Sequence, residues 1–258
     1  MPLFKRDNRI IHHIHIPKCG GTSVKHLLES EGWEKINIPL AKGDQEIEDY
    51  YSNVVDPVRI GISEDGNLYT DHEHREIWGA WPVEVEMQFA IIRNPYGRMH
   101  SHIKQYMAHR PWHQEAIERA KSNNLQVLCP VSVLEKLLAF IQPGYFDDSH
   151  EDYPPFGGQG DEDNHYRRQV DFLGNSTACV KLEQGIDTLL NLLKENNIVS
   201  KGAVFPHINS HDVPLAIPWN EPEYSSCHET FKKLYHDDFK ILRYNIIEGK
   251  ENWNGAIE

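Results

Sequence analysis

The sequence predicts an α/β fold, a single domain over residues 1–258 built on a central, mainly parallel sheet flanked by helices. Three observations carry that expectation. Apolar, strand-like runs pass through turn residues into helical spacing twice, RIIHHIHI into TSVKHLLESEGW and EMQFAIIR into YGRMHSHIKQYMAH. A chain of 258 residues with 39% hydrophobic and 10% aromatic content can bury one sizeable core. No internal repeat and no low-complexity linker divides it.

The elements follow in order. RIIHHIHI alternates apolar residues with histidine and stops at Pro17, and Thr22 or Ser23 stands where the next helix would begin. Residues 36–69 are weakly periodic and rich in turn formers, so they read as a short strand and an irregular insertion. EMQFAIIR is a buried strand stopped by Asn94 and Pro95, with a helix behind it. QEAIERAKSN and VSVLEKLLAFI add two helices, and residues 143–164, dense in Gly, Pro and acid, form a long loop. TACVKL is a strand, EQGIDTLLNLLKENN an amphipathic helix, and EYSSCHETFKKLYHDDFKILRY a helical tail.

Bulk chemistry narrows the partners. A net charge of −13 argues against general nucleic-acid binding, whose affinity comes from neutralising phosphates. A polyanion would need a local basic site, and RNPYGRMHSHIKQYMAHR, free of acids, is the candidate. No run of about 18 apolar residues and no signal-peptide pattern occurs, so a soluble, cytoplasmic protein with no membrane span is expected. Cys19, Cys129, Cys179 and Cys227 are widely spaced without a CxxC pair, which fits reduced thiols.

HIPKCGGTS, between the first strand and helix, has the parts of an anion cradle. Gly20 and Gly21 let the backbone wrap an anion, the helix N-terminus points N–H groups at it, and Lys18 adds a point charge. An ordinary glycine turn is the plain alternative for a lone Gly-Gly pair. A nucleoside-triphosphate loop, GxxxxGK[ST], places its lysine after the glycines, whereas Lys18 comes before them. The loop therefore reads as a P-loop-like anion cradle with a different spacing.

These residues resemble a known family. HIPKCGGTS is similar to the 5′-phosphosulfate-binding loop of the sulfotransferases that use 3′-phosphoadenosine 5′-phosphosulfate (PAPS), in the form of the carbohydrate O-sulfotransferases. FAIIRNPYGRMHSHIKQY resembles their 3′-phosphate segment, RxPxxRxxSxY, with Tyr106 in place of a tyrosine found slightly earlier in relatives. HYRRQVDFL, VKLEQGIDTLLNLL, FPHINSH and the closing helix resemble later segments, leaving 34–68 and 110–160 as the exceptions, where acceptor specificity is expected.

The resemblance implies that Lys18, Cys19, Gly20, Gly21, Thr22 and Ser23 hold the 5′-phosphosulfate and that Arg93 and Ser101 hold the 3′-phosphate. Sulfuryl transfer needs a base, a charge clamp and in-line alignment. Lys18 is the candidate clamp. Relatives often carry a catalytic His ahead of the RxP arginine, so the resemblance implies His72, in YTDHEHREIW, as the first candidate base and His74 as the second. His13 and His15 belong to the first strand, with His15 supporting the loop, while His165, Arg168 and Gln169 are candidates for the acceptor.

The acceptor is expected to be a carbohydrate or a hydroxylated small molecule. No metal is required, and neither DHEH nor DDSHEDY has the HExxH spacing of a helix-borne site. Two rival readings stand beside this one: an ATP-dependent phosphoryl transferase, which would need magnesium ligands, and a non-catalytic nucleotide- or glycan-binding protein.

Overall fold

The computed structural model describes residues 3–36, 38–39, 61–62, 67–69, 85–108, 111–141, 166–206 and 213–246. In chain order their elements are β1 (Leu3–Arg6), β2 (Arg9–Ile14), α1 (Gly21–Ser30), β3 (Glu34–Ile36), β4 (Ile38–Pro39), β5 (Gly61–Ile62), β6 (Asn67–Tyr69) and β7 (Met87–Ile92). Then come α2 (Pro95–Ala108), α3 (Pro111–Ser122), β8 (Val127–Leu128), α4 (Val131–Phe140), β9 (Ala178–Lys181), α5 (Ile186–Glu195), β10 (Leu215–Ala216), α6 (Ser225–Leu234) and α7 (His236–Ile241). The chain divides into two compact units, one of residues 1–92 with 147–206 and the other of residues 93–146 with 207–258.

The first unit is built on a five-stranded sheet ordered β3-β1-β2-β7-β9. β2, β7 and β9 run parallel, with Ile11 opposite Met87 and Phe89 opposite Ala178. β1 pairs antiparallel with both β2 and β3. The sheet is therefore mixed, where a mainly parallel one was expected, because the N-terminal residues fold back as a hairpin. Asp7 turns that hairpin at φ 56°, a left-handed conformation that Asp and Asn tolerate better than most side chains. β2 is a central strand, so its last four residues are buried whichever face they point to, His12 and His13 included.

α1 buries Val24, Leu27 and Leu28 and ends at Ser30, with Glu31 as C-cap and Gly32 behind it at φ 80°, the left-handed position glycine favours after a helix. α5 buries Leu189, Leu190 and Leu193. The indole N–H of Trp33 donates to the Ile198 carbonyl at 2.7 Å, joining the segments that follow the two helices. Arg6 and Arg9 lie over the Trp33 ring and donate to carbonyls of Glu31, Asn196 and Asn197. Those carbonyls form the negative ends of α1 and α5, so both cations sit where a helix dipole favours them. A separate small antiparallel sheet has the order β4-β6-β5.

The second unit is largely helical. Asn94 opens α2: its side-chain oxygen accepts from the Tyr96 N–H at 3.0 Å, its carbonyl accepts from Arg98 N–H at 2.8 Å, and Pro95 occupies the first turn. Tyr96, Trp219, Phe231 and Phe239 pack as one aromatic cluster, and the Tyr96 hydroxyl meets His228 Nε2 at 2.7 Å inside it. β8 and β10 form a short parallel pair. The predicted helical tail is broken at Tyr235 into α6 and α7. Among the described residues, no helix is long and apolar enough to cross a membrane.

Candidate anion-binding loop

The segment from Ile14 to Gly21 leaves the C-terminal end of a central parallel strand, where α/β sheets place their ligands. The Cys19 N–H returns to the Ile16 carbonyl at 3.3 Å, closing a four-residue turn with Pro17 second and Lys18 third. Lys18 has φ 67°, so this is a type II turn carrying a lysine at the position that glycine fills most easily. A non-glycine residue there is strained by about 1 kcal/mol. Gly20 repeats the left-handed conformation at φ 88° and serves as the N-cap of α1. The helix thus begins at Gly21, one residue before the earlier of the two expected starts, and no side chain caps it.

The absence of a side-chain cap decides what the loop can do. Ser23 and Val24 direct their N–H groups to the Gly20 carbonyl. The N–H groups of Gly20, Gly21 and Thr22 make no hydrogen bond to any described residue. Nor does the first turn of α1 hold an acid to offset its positive end. Three donors, a helix N-terminus and a lysine therefore share one short stretch, which is the chemistry of an oxyanion site.

Two neighbours fix the loop's shape. A Cβ on Gly21 would lie 1.9 Å from His15 Cδ2 and 2.0 Å from His15 Nε2, so the imidazole occupies the space a side chain would need. That ring stacks on His13 at 5.6 Å, and His13 stacks on Phe89 at 5.2 Å. This is the loop support expected of His15. On the other side Cys19 is buried, and its thiol donates to the side-chain oxygen of Gln169 at 3.5 Å. Burial holds His12 mainly in its neutral form, its pKa well below the usual imidazole value.

The chain matches no family model, no curated protein and no solved structure.

The remaining site candidates fall in different places. Arg93 follows the last residue of β7 directly and is half-buried, and Ser101 is half-buried in α2, six residues beyond Pro95. At 1.5 Å per residue that separates Ser101 from the start of α2 by about 9 Å along the axis. Arg168 makes a two-pronged ion pair with Asp171, at 3.1 Å from Nε and 2.9 Å from Nη2. Gln169, a candidate for the acceptor, is fully buried against Cys19. His72, His74 and His165 lie outside the described residues, as do the DHEH and DDSHEDY runs. Among the described residues, no group of three or more His, Cys, Asp or Glu could hold a metal ion.

Sequence reasoning missed two features here. The Cys19–Gln169 contact spans 150 residues and leaves no local trace. The left-handed Lys18 had a signal: a proline followed by a residue that must turn the chain before Gly20.

Proposed function

We propose that this protein is a sulfotransferase, moving a sulfuryl group from PAPS to a hydroxyl, less readily an amine, of a carbohydrate or other hydroxylated small molecule. One observation carries the reading: the N–H groups of Gly20, Gly21 and Thr22 open α1 with no partner among the described residues, directly after a lysine held left-handed. Such a loop suits a phosphosulfate, which presents several anionic oxygens. Together with the β2 strand and α1 it would form the P-loop-like core of the nucleotide site.

The donor supplies an activated sulfuryl group, and its phosphate keeps the electron pair of the sulfur–oxygen bond that breaks. The chain's task is to hold that phosphate, to neutralise charge growing on it and to take a proton from the acceptor. Lys18 and the three N–H groups are assigned the growing charge, and N–H groups held at the start of a helix need little reorganisation during reaction. Thr22 adds a hydroxyl at the same helix end. Arg93 and Ser101 are assigned the 3′-phosphate, with Arg93 offering a planar fork for its oxygens. His72 is assigned the acceptor proton, with His74 as substitute, and neither assignment requires a metal.

The test is to incubate the protein with PAPS and a panel of oligosaccharides, lipid-linked sugars and hydroxylated metabolites, and to follow acceptor mass. An acceptor gaining one sulfate, in amounts matching the adenosine 3′,5′-bisphosphate formed, supports the proposal. Magnesium-dependent ATP turnover with no sulfate transfer would replace it with phosphoryl transfer.

A further inference from the structure

We infer that Gln169 is a positioning residue for the anion loop, acting through Cys19 rather than by touching the acceptor. The inference rests on the sulfotransferase reading above, because it assigns Gln169 a part in holding the donor. Gln169 lies in a single 3-10 turn, Gln169–Phe172. With three residues per turn, positions three apart eclipse. Gln169 and Phe172 share one face and are both 0% exposed, while Arg168 and Asp171 share another and form the two-pronged ion pair. The turn is thus anchored twice, by burial on one face and by charge on the other. Its amide is a fixed point.

Cys19 rests on that point. Its thiol is 3.5 Å from the Gln169 oxygen, and its N–H closes the turn that holds Lys18 left-handed. One residue therefore links the buried amide to the lysine on one side and to Gly20 on the other. The thiol of Cys19 is directed to Gln169 and its N–H to the Ile16 carbonyl, which makes Cys19 a tether of the loop. Loss of the contact leaves a buried amide oxygen without this donor and lets the strained Lys18 turn relax, so the three N–H groups and Lys18 no longer converge.

The experiment uses the full chain and adenosine 3′,5′-bisphosphate as probe, with calorimetry for binding and initial rates for the separate KM values of PAPS and acceptor. Gln169→Leu and Cys19→Ala are each expected to weaken bisphosphate binding and raise the KM for PAPS by up to about tenfold, the scale of one hydrogen bond lost. The acceptor KM should hold. The double variant should lose no more than either single one, because both break the same contact. Cys19→Ser, whose hydroxyl can donate to the same oxygen, should restore most of the affinity, a rescue that a purely structural defect would not show. Unchanged bisphosphate affinity in the single variants, additive losses, or an effect confined to the acceptor KM would overturn the inference while leaving the sulfotransferase reading intact. If Gln169→Leu does not fold, Cys19→Ala against Cys19→Ser decides alone. A wild-type protein that binds no bisphosphate would overturn both.

Discussion

Gly21→Ala separates two opposed effects whose sizes can be compared. Gly21 is the first residue of α1 and has no left-handed φ, so alanine meets no backbone penalty there. On propensity alone the change would stabilise the helix by at most about 1 kcal/mol. The new methyl would stand 1.9 Å from His15 Cδ2 and 2.7 Å from Cγ, well inside contact distance. The ring cannot simply tilt inward, since it stacks on buried His13 and that ring on buried Phe89. Forcing a methyl into a filled site costs about 1–3 kcal/mol. The net expectation is a loss of about 1–2 kcal/mol, seen as a drop of about 3–6 °C in unfolding midpoint by calorimetry. The companion His15→Ala/Gly21→Ala variant removes the obstructing ring and should recover most of the difference from His15→Ala alone. A neutral Gly21→Ala, or a double variant in which the two losses simply add, would refute the steric reasoning.

Other expectations follow from the same geometry. Lys18→Gly should raise the unfolding free energy by about 1 kcal/mol, by relieving a left-handed lysine at φ 67°, while abolishing sulfuryl transfer; Lys18→Ala and Arg93→Ala should also abolish it. Burial lowers the His100 pKa to about 4, against an opposing hydrogen bond from its Nε2 to the Leu215 carbonyl. The unfolded chain therefore binds a proton that the folded chain refuses between about pH 6.5 and 4, so stability falls as pH falls through that window. Denaturant titrations at pH 7 and pH 5 should differ by about 2 kcal/mol from this group, and His100→Gln should flatten the difference. Burial pushes the Cys129 thiol up to about 12 and the Cys179 thiol up to about 11, so access decides between them, and Cys179 is exposed while Cys129 is buried. Alkylation of the native protein followed by peptide mass mapping should modify Cys179 first, and Cys19, Cys129 and Cys227 only on unfolding.

Much of the architecture was legible because helices write their buried face into the sequence. α4 and α5 fall within the stretches whose apolar spacing predicted them, and α1 and α2 each begin one residue before theirs. The first sheet strand was hidden for a physical reason: β1 has only four residues, two of them charged, and its hydrogen bonding is completed by β2 on one side and β3 on the other. The Asp7-Asn8 pair was its one local mark. Missing it made the sheet look mainly parallel, since the antiparallel members are the short strands at one edge. The glycine turn before α1 was legible in its residue types, but the cap of α1 was not, because Thr22 and Ser23 are the better capping residues by preference. Gly20 takes that position because the loop turns left-handed before the helix can begin. Gln169 could not be placed, because its partner is distant in sequence and a thiol donor has no periodic signature.

The most direct test does not depend on knowing the acceptor. Calorimetric titration of the full chain with adenosine 3′,5′-bisphosphate and, separately, with ATP and magnesium measures whether the Lys18–Thr22 loop binds either nucleotide. The account predicts binding of the bisphosphate at least about tenfold tighter than ATP, lost on Lys18→Ala. Equal or tighter binding of magnesium–ATP, or bisphosphate binding that survives Lys18→Ala unchanged, would contradict it.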